Sequence, residues 1–357
     1  MNLILDPRPP RLHWVVDEGG EVTEGWAPFG ADELPLALAS LAAEVDAVAC
    51  VVPHGGPDLT AAVSPVTEEA LAAVRGARRF DWDGCHMADV AARAALAGWP
   101  DARHYLLCET ALFADMPPAA SRYAVPEALD ANGIRRYGAH GLAHRWVYDL
   151  LGSGGETAPH RLISVHVDDR PAAACLVDGR AVETTCGFTP VEGVPGLHSC
   201  GDVDPTIAMQ LCEAGYTPAE VADLLSQRSG LSGVVGRPTS MAEVAAAADD
   251  GTRLARDLLV YALVKAVGAG AAAMGGVDAV VLSAPELNPV RELIKEVCSG
   301  LGALQMRPLP ESLPGATWEQ IAPGMAGLEA PRREVLRWSL AVAQSRAVRT
   351  TKAAPAA

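Results

Sequence analysis

RLISVHVDDRPAAACLVDGRAVETTCGFTPVEGVPGLHSCGDVDP, residues 161–205, is the stretch whose reading decides the fold. Its first half sets short apolar runs between turn residues. That pattern predicts a strand over Leu162–Val167, a second over Ala172–Val177, a turn at Asp178-Gly179 and a third strand over Arg180–Thr184. The chain then leaves the sheet through Cys186-Gly-Phe-Thr-Pro-Val-Glu-Gly193, where two glycines and a proline fix the path of a loop. Loops of this kind tend to carry function.

Around this stretch, 357 residues suffice for two domains, each with its own core. Half of the residues are apolar and no segment is of low complexity, so a folded globular protein is expected. A formal net charge of -16 argues against nucleic acid or an anionic membrane as partner, because both would repel it. The eight cysteines are scattered without a Cys-x-x-Cys pair, which reads as reduced, cytoplasmic usage rather than a zinc site or disulfide framework. Asp6 and Pro7 arrive too early for an export signal. The longest apolar run, 258–284, is interrupted by Lys265, Asp278 and several glycines, so no spanning segment is expected.

In chain order, Leu3–Leu5 and Leu12–Val16 read as a hairpin around Asp6-Pro-Arg-Pro-Pro-Arg11, followed by a loop and helix over 25–43. Val45–Val52 is a buried strand ending at Pro53-His54-Gly55-Gly56. Thr67 caps a helix to Val74, residues 80–85 are irregular, and 86–96 form a helix. His104–Leu107 leads into Cys108-Glu-Thr-Ala-Leu-Phe113. In Asn132-Gly-Ile-Arg-Arg-Tyr-Gly-Ala-His-Gly-Leu-Ala-His-Arg145, His140 and His144 are four residues apart, on one face if a helix starts there. A metal pair is the alternative reading, but no third ligand converges in sequence and no metal site is assigned. Residues 152–155 read as a turn. Asp204 caps a helix over 205–214, and Thr217 with Glu220 caps another to Ser226. A long helix over 243–268 and a strand over 279–283 follow. Residues 305–331 read as a proline-punctuated linker, and 332–348 as a terminal helix rich in basic residues.

The quoted stretches resemble the acetate and propionate kinase family. There, a strand ending in His-Leu-Gly-Asn-Gly-Ala-Ser leads to Thr-Pro-Leu-Glu-Gly and then to Thr-Arg-Ser-Gly-Asp-Ile-Asp-Pro. Laid on that pattern without a gap, this chain keeps His166, Gly179, Thr184, Gly187, Thr189, Pro190, Glu192, Gly193, Gly201, Asp202, Asp204 and Pro205. Residues 108–113, 133–144 and 275–283 resemble further family motifs, and His54-Gly55-Gly56 another. The resemblance implies an α/β fold of two ribonuclease-H-like, actin-like ATPase domains around a central cleft. It places an N-terminal domain at 1–111 plus about 332–357, and a nucleotide-side domain at 112–331. It implies a homodimer, Mg²⁺ and ATP as cofactors, and phosphorylation of a short carboxylic acid to an acyl phosphate.

Carried over residue by residue, the resemblance makes Glu109 and His140 catalytic. Glu109 stands for a catalytic or metal-associated Asp, and His140 for the His that stabilises the transferred phosphoryl group. His54, Ala139 and Pro190 fall on the substrate side, with Ala139 replacing a Phe and making room for a larger acid. His166, Asp168, Asp169, Arg170, Gly201 and Asp202 fall on the nucleotide side. The departures are specific. The phosphate-cradling Gly-Asn-Gly is Asp168-Asp169-Arg170, where each carboxylate at about 5 Å from a phosphate adds roughly 3 kcal/mol of repulsion at an effective dielectric near 20. The family's catalytic Arg is Ser199, its substrate Arg is Val51, and its late catalytic Glu has no clear counterpart. Its amide-rich turn after the first strand holds three prolines here, although Asp6 could hold a metal, and Arg8 and Arg11 could supply charge. These changes predict an activity that is weak, altered or lost. A catalytically silent homologue with a binding or scaffolding role is the alternative.

Overall fold

Continuous apolar runs such as Ala-Val-Ala-Cys-Val-Val and Ala-Val-Val-Leu-Ser-Ala suit strands buried on both faces, and both are central strands of mixed sheets. A computed structural model of the chain describes residues 1–28, 44–130, 132–153, 158–306, 309, 313 and 316–352. The chain divides into two compact units, Met1–Ala114 with Arg332–Ala357, and Asp115–Pro331.

In the first unit, β1 (Asn2–Arg8), β2 (Arg11–Glu18) and β3 (Glu21–Pro28) form an antiparallel meander. β1 then pairs in parallel with β4 (Ala47–Val52), which pairs in parallel with β6 (Arg103–Cys108), and the short β5 (Val63–Pro65) closes the edge antiparallel to β6. The sheet order is β3-β2-β1-β4-β6-β5. Two helices follow β5, α1 (Glu68–Gly76) and α2 (Trp82–Gly98), with α1 capped by Thr67, whose side chain accepts from the Ala70 amide.

The second unit repeats the same scheme. Helix α3 (Gly141–Leu151) leads to β7 (Arg161–His166), β8 (Ala172–Val177) and β9 (Arg180–Thr184), again an antiparallel meander. The 24-residue helix α4 (Asp250–Ala273) leads to β10 (Ala279–Ala284), which is parallel to β7. Helix α5 (Arg291–Gly300) precedes β11 (Trp318–Ala322) and β12 (Met325–Glu329), and β12 is parallel to β10. The order β9-β8-β7-β10-β12-β11 is that of the first sheet, strand for strand. The last element among the described residues is α6 (Arg332–Lys352), which belongs to the first unit.

Several expectations need correction. β3 occupies residues read as the start of a loop, because Glu21–Pro28 pairs along its whole length with β2. Helix α2 begins at Trp82 rather than His86, with the Asp81 carboxylate accepting from the Gly84 amide and so capping a segment read as irregular. The long helix expected over 243–268 is two. Met241–Ala246 ends where Ala247 turns left-handed, and Asp249 with Thr252 restarts the chain as α4 in a capping box. The linker expected over 305–331 contains β11 and β12, with β12 paired to β10 along five residues. The loop-and-helix reading beyond residue 28 and the second half of the 152–155 turn lie outside the described residues.

The core of the second unit forms where α4 lies on the sheet. Leu259, Leu263, Val267 and Ala271 recur at helical spacing and are buried together with Ile163, Cys175, Val280 and Leu282. Gly270 is the close point, since a methyl group there would lie 2.4 Å from Cys175 Sγ. Gly268, on the same helix, has open space where its methyl would go. Helix propensity alone favours alanine at both sites by about 1 kcal/mol. Urea denaturation should therefore show Gly268→Ala stabilising by about that amount, and Gly270→Ala destabilising by roughly 1–3 kcal/mol through overpacking. A gain at both positions would contradict the close contact.

Candidate functional site

The first unit gathers its charged groups at the carboxyl ends of β1 and β6. Asp6, on β1 just beyond the last β1–β4 pair, is almost wholly buried. Glu109 directly follows β6, fixed by its amide donating to the Val52 carbonyl at 3.0 Å, and it is also buried. The first residue of α6 lies between them. Arg332 donates from Nε to Asp6 Oδ2 at 2.8 Å and from Nη2 to Asp6 Oδ1 at 3.0 Å, a fork-to-fork pair. Its third nitrogen, Nη1, is 2.6 Å from Glu109 Oε1. Arg8 Nε adds a contact of 3.0 Å to Asp6 Oδ2. Sequence reasoning missed Arg332, which is 326 residues from Asp6 in the chain; the only signal was the basic start of the terminal helix.

A ladder of further contacts places that arginine. Arg333 donates to Glu24, Arg337 to Asp17 and Gln344 to Asn2, at 2.8, 2.8 and 3.0 Å. Helix α6 is thus tied along the meander from the Asp6 end of β1 to its beginning, because Asp17 pairs with Asn2 in the β1–β2 register. Burial by itself would raise the Asp6 pKa. Arg332, Arg8 and a hydrogen bond with His13 outweigh burial and hold the carboxyl well below the usual range.

The same geometry tests the divalent ion that the family resemblance implies. Three of the four carboxylate oxygens of Asp6 and Glu109 are already taken up by guanidinium nitrogens. Mg²⁺ demands near-octahedral oxygen ligands at about 2.1 Å. A dication about 4 Å from the guanidinium would also meet on the order of 8 kcal/mol of repulsion at an effective dielectric near 20. The donor set between Asp6 and Glu109 therefore does not fit Mg²⁺ while Arg332 is in place.

Other expected groups of this unit lie in its interior. His54 is fully buried, stacks on Phe80 with ring centroids 4.5 Å apart, and accepts from the Gly56 amide through Nδ1. Val51 lies within β4 and is buried. Asp89 accepts from Arg75, Arg78 and Arg93 at 3.1–3.2 Å. Arg11 lies over the Trp26 ring, 5.5 Å from its centroid. The Pro9-Pro10 turn between β1 and β2 offers no amide N–H.

In the second unit the expected residues converge at the carboxyl end of β7. His140 precedes α3 with φ 54° and ψ 28°, a left-handed conformation unusual for a residue with a side chain. Its Nε2 donates to the Arg170 carbonyl at 3.0 Å and lies 3.4 Å from Asp168 Oδ1. His166 ends β7, its Nε2 3.9 Å from Asp168 Oδ2, and its ring centroid is 5.0 Å from that of His140. Asp168 Oδ1 also accepts from the Arg170 amide at 2.9 Å. Asp169 and Arg170 are exposed. His144 turns inward, with Nδ1 2.9 Å from Ser164 Oγ, and burial together with the neighbouring His140 and His166 keeps its pKa well below the usual value.

The loop after β9 is held from two sides. Tyr123 donates to Glu192 and its oxygen accepts from the Phe188 amide, while Arg136 lies 3.3 Å from Glu192. Gly193 and Asp202 lock together through two hydrogen bonds of 2.9 Å, one from the Gly193 amide to Oδ1 and one from the Asp202 amide to the Gly193 carbonyl. Gly201, at φ 72°, leaves no room for a side chain beside the Gly193 carbonyl. Ala139 packs with Ala172 and Cys186, Pro190 is half-buried, and Ser199 is buried.

Removing Arg332 would leave two buried carboxylates without their main cation, a loss of about 3–5 kcal/mol. Because the folded Asp6 pKa is depressed, its contribution is present above the unfolded value of about 3.9 and is lost as pH falls through the folded value. Urea titrations of wild type and Arg332→Met should therefore show a deficit of that size at neutral pH which narrows below about pH 4. A difference that stays constant into acid would contradict the clamp.

Comparison with known proteins agrees with this architecture. The acetokinase family pattern matches residues 31–309. The acetate kinase of Heliobacterium modesticaldum is 34% identical over 275 residues, 73% of this chain and 67% of that protein. That of Thermosynechococcus vestitus is 34% identical over 210 residues, which span about half of its length, 51%. Among solved structures, the acetate kinase of Porphyromonas gingivalis superposes with a TM-score of 0.79 at 23% identity, covering 96% of this chain and 99% of that one. A propionate kinase from Francisella tularensis superposes with a TM-score of 0.77 at 17% identity, covering 94% and 98%. Those solved kinases share the two-domain actin-like fold. On the extent of the sequence match, this chain belongs to the acetokinase family.

Proposed function

We propose that this acetokinase has left the ordinary reaction of its family, Mg²⁺ATP-dependent phosphorylation of a short carboxylic acid, and carries it out weakly or not at all. The observation that carries the reading is Arg332, whose guanidinium joins Asp6 to Glu109. Phosphoryl transfer depends on positioned positive charge, and one transition-state arginine is worth about 10³–10⁵ in rate. Here Glu109, the acid expected to be catalytic, is engaged by an arginine of its own unit. Val51 and Ser199, at the positions of the two family arginines, are uncharged and buried. On the nucleotide side, Asp168 and Asp169 bring negative charge to the place of a glycine-rich phosphate cradle, and Gly201 and Asp202 hold the Gly193 loop. Residues 112–331 are the nucleotide-side domain in this reading, and the substrate side takes His54, Ala139 and Pro190. We place the protein in the cytoplasm as a homodimer with a binding role.

A second reading has one observation in its favour. Arg332 and Arg8 are themselves fixed cations, so a residual transfer could rely on them in place of a metal ion. A coupled hydroxamate assay with acetate, propionate and longer acids separates the two. The first reading predicts acyl phosphate formation at least about a hundredfold below 1 s⁻¹ with MgATP, 1 s⁻¹ being an ordinary enzyme rate. Turnover at or above that rate, abolished by EDTA, would overturn it. Turnover that survives EDTA and falls in Arg332→Met would favour the second.

A further inference from the structure

A second concentration of polar groups, apart from Asp6 and Glu109, lies at the end of β7. His140, His166 and Asp168 each bring a ligand atom to one place, and these atoms lie within 4.8 Å of one another. Ligands on one zinc-type ion, with bonds of about 2.0–2.2 Å, sit roughly 3–4 Å apart, so only a small closure separates this cluster from a coordination shell. We propose that His140, His166 and Asp168 bind a divalent transition-metal ion of the Zn²⁺, Co²⁺ and Fe²⁺ group. The site is distinct from Asp6 and Glu109, which lie in the other unit.

His166 has a partner on its other ring nitrogen. Ser283, at the neighbouring position of β10, donates its single hydroxyl hydrogen to the Val165 carbonyl at 3.3 Å. With its hydrogen there, the hydroxyl oxygen is set to accept from His166 Nδ1, 3.0 Å away. In that arrangement Nδ1 keeps its hydrogen, and Nε2, the atom facing Asp168 Oδ2, is the one left to ligate an ion. A ligating histidine commonly donates its other ring N–H to an orienting partner, and Ser283 supplies that partner here. Asp168 is held in turn by the Arg170 amide.

His140 needs one change. Its Nε2–H now donates to the Arg170 carbonyl, so an ion on Nε2 takes the place of that hydrogen and the proton moves to Nδ1, with no net proton lost. The Arg170 carbonyl oxygen is then within reach as an additional ligand. Two imidazoles with one carboxylate select first-row transition ions over Mg²⁺ or Ca²⁺, which prefer oxygen throughout. The site is shallow, with side-chain exposures of 11%, 7% and 16% for His140, His166 and Asp168, so an ion can enter from solvent. His144 contributes its bulk and its contact with Ser164 but points into the core.

The test uses the full chain, stripped with a chelator and titrated with Co²⁺ while visible d–d absorption is recorded, followed by Zn²⁺ competition. The expected result is one ion per chain, displaced by Zn²⁺ and not by millimolar Mg²⁺. His140→Ala and Asp168→Ala should abolish the absorption, and Ser283→Ala should weaken affinity about 10–100-fold. His160→Gln, at an exposed histidine paired with Asp178, should leave it unchanged. Circular dichroism establishes folding, and the mild Ser283→Ala substitution carries the test if a ligand variant is unstable. No stoichiometric uptake by the wild type, uptake indifferent to Asp168→Ala and Ser283→Ala, or equal competition by Mg²⁺ would overturn the assignment.

Discussion

One guanidinium, on a side chain only 17% exposed, organises the first unit of this protein. Arg332 closes both oxygens of Asp6 and reaches Glu109, so two acids that would repel each other are held together by a cation that cannot leave and cannot lose its charge. Desolvating such a group is costly, and the arrangement survives because its hydrogen bonds are matched and because α6 is tied to the meander along several turns. Fold and electrostatics are thereby coupled. The contact that docks the terminal helix is also the contact that decides what Asp6 and Glu109 can bind.

The two sheets share one strand order, and each has a polar cluster toward the carboxyl end of its first strand. In the first unit that cluster is Asp6, Glu109 and two arginines. In the second it is His140, His166 and Asp168. The same frame thus presents two different chemistries. One is a charge-compensated ion pair, the other a nitrogen-rich set suited to softer ions.

Local chemistry made much of this legible. The meander at 161–184 was readable because its strand and turn residues are unambiguous, and the caps at Thr67, Asp204 and Thr217 because a short polar side chain before a helical run has one main use. The strands β11 and β12 were hidden by prolines around them and by their reliance on β10 for pairing. The break at Ala247 was hidden because alanine gives no sign of a left-handed turn. The Arg332 clamp depends on a contact between the two ends of the chain, which no local window can contain. Likewise, the spacing of His140 and His144 suggested a pair on one helical face; their rings do lie 6.5 Å apart, edge to face, but their hydrogen bonds go to different partners. His144 goes to the core, and His140 meets residues of the β7–β8 turn.

Anomalous diffraction from crystals grown with Mn²⁺ and ATP tests the central claim most directly. The account predicts the Arg332 guanidinium still bidentate on Asp6, in contact with Glu109, and no manganese peak between the two carboxylates. A peak there, with the arginine displaced, would contradict it.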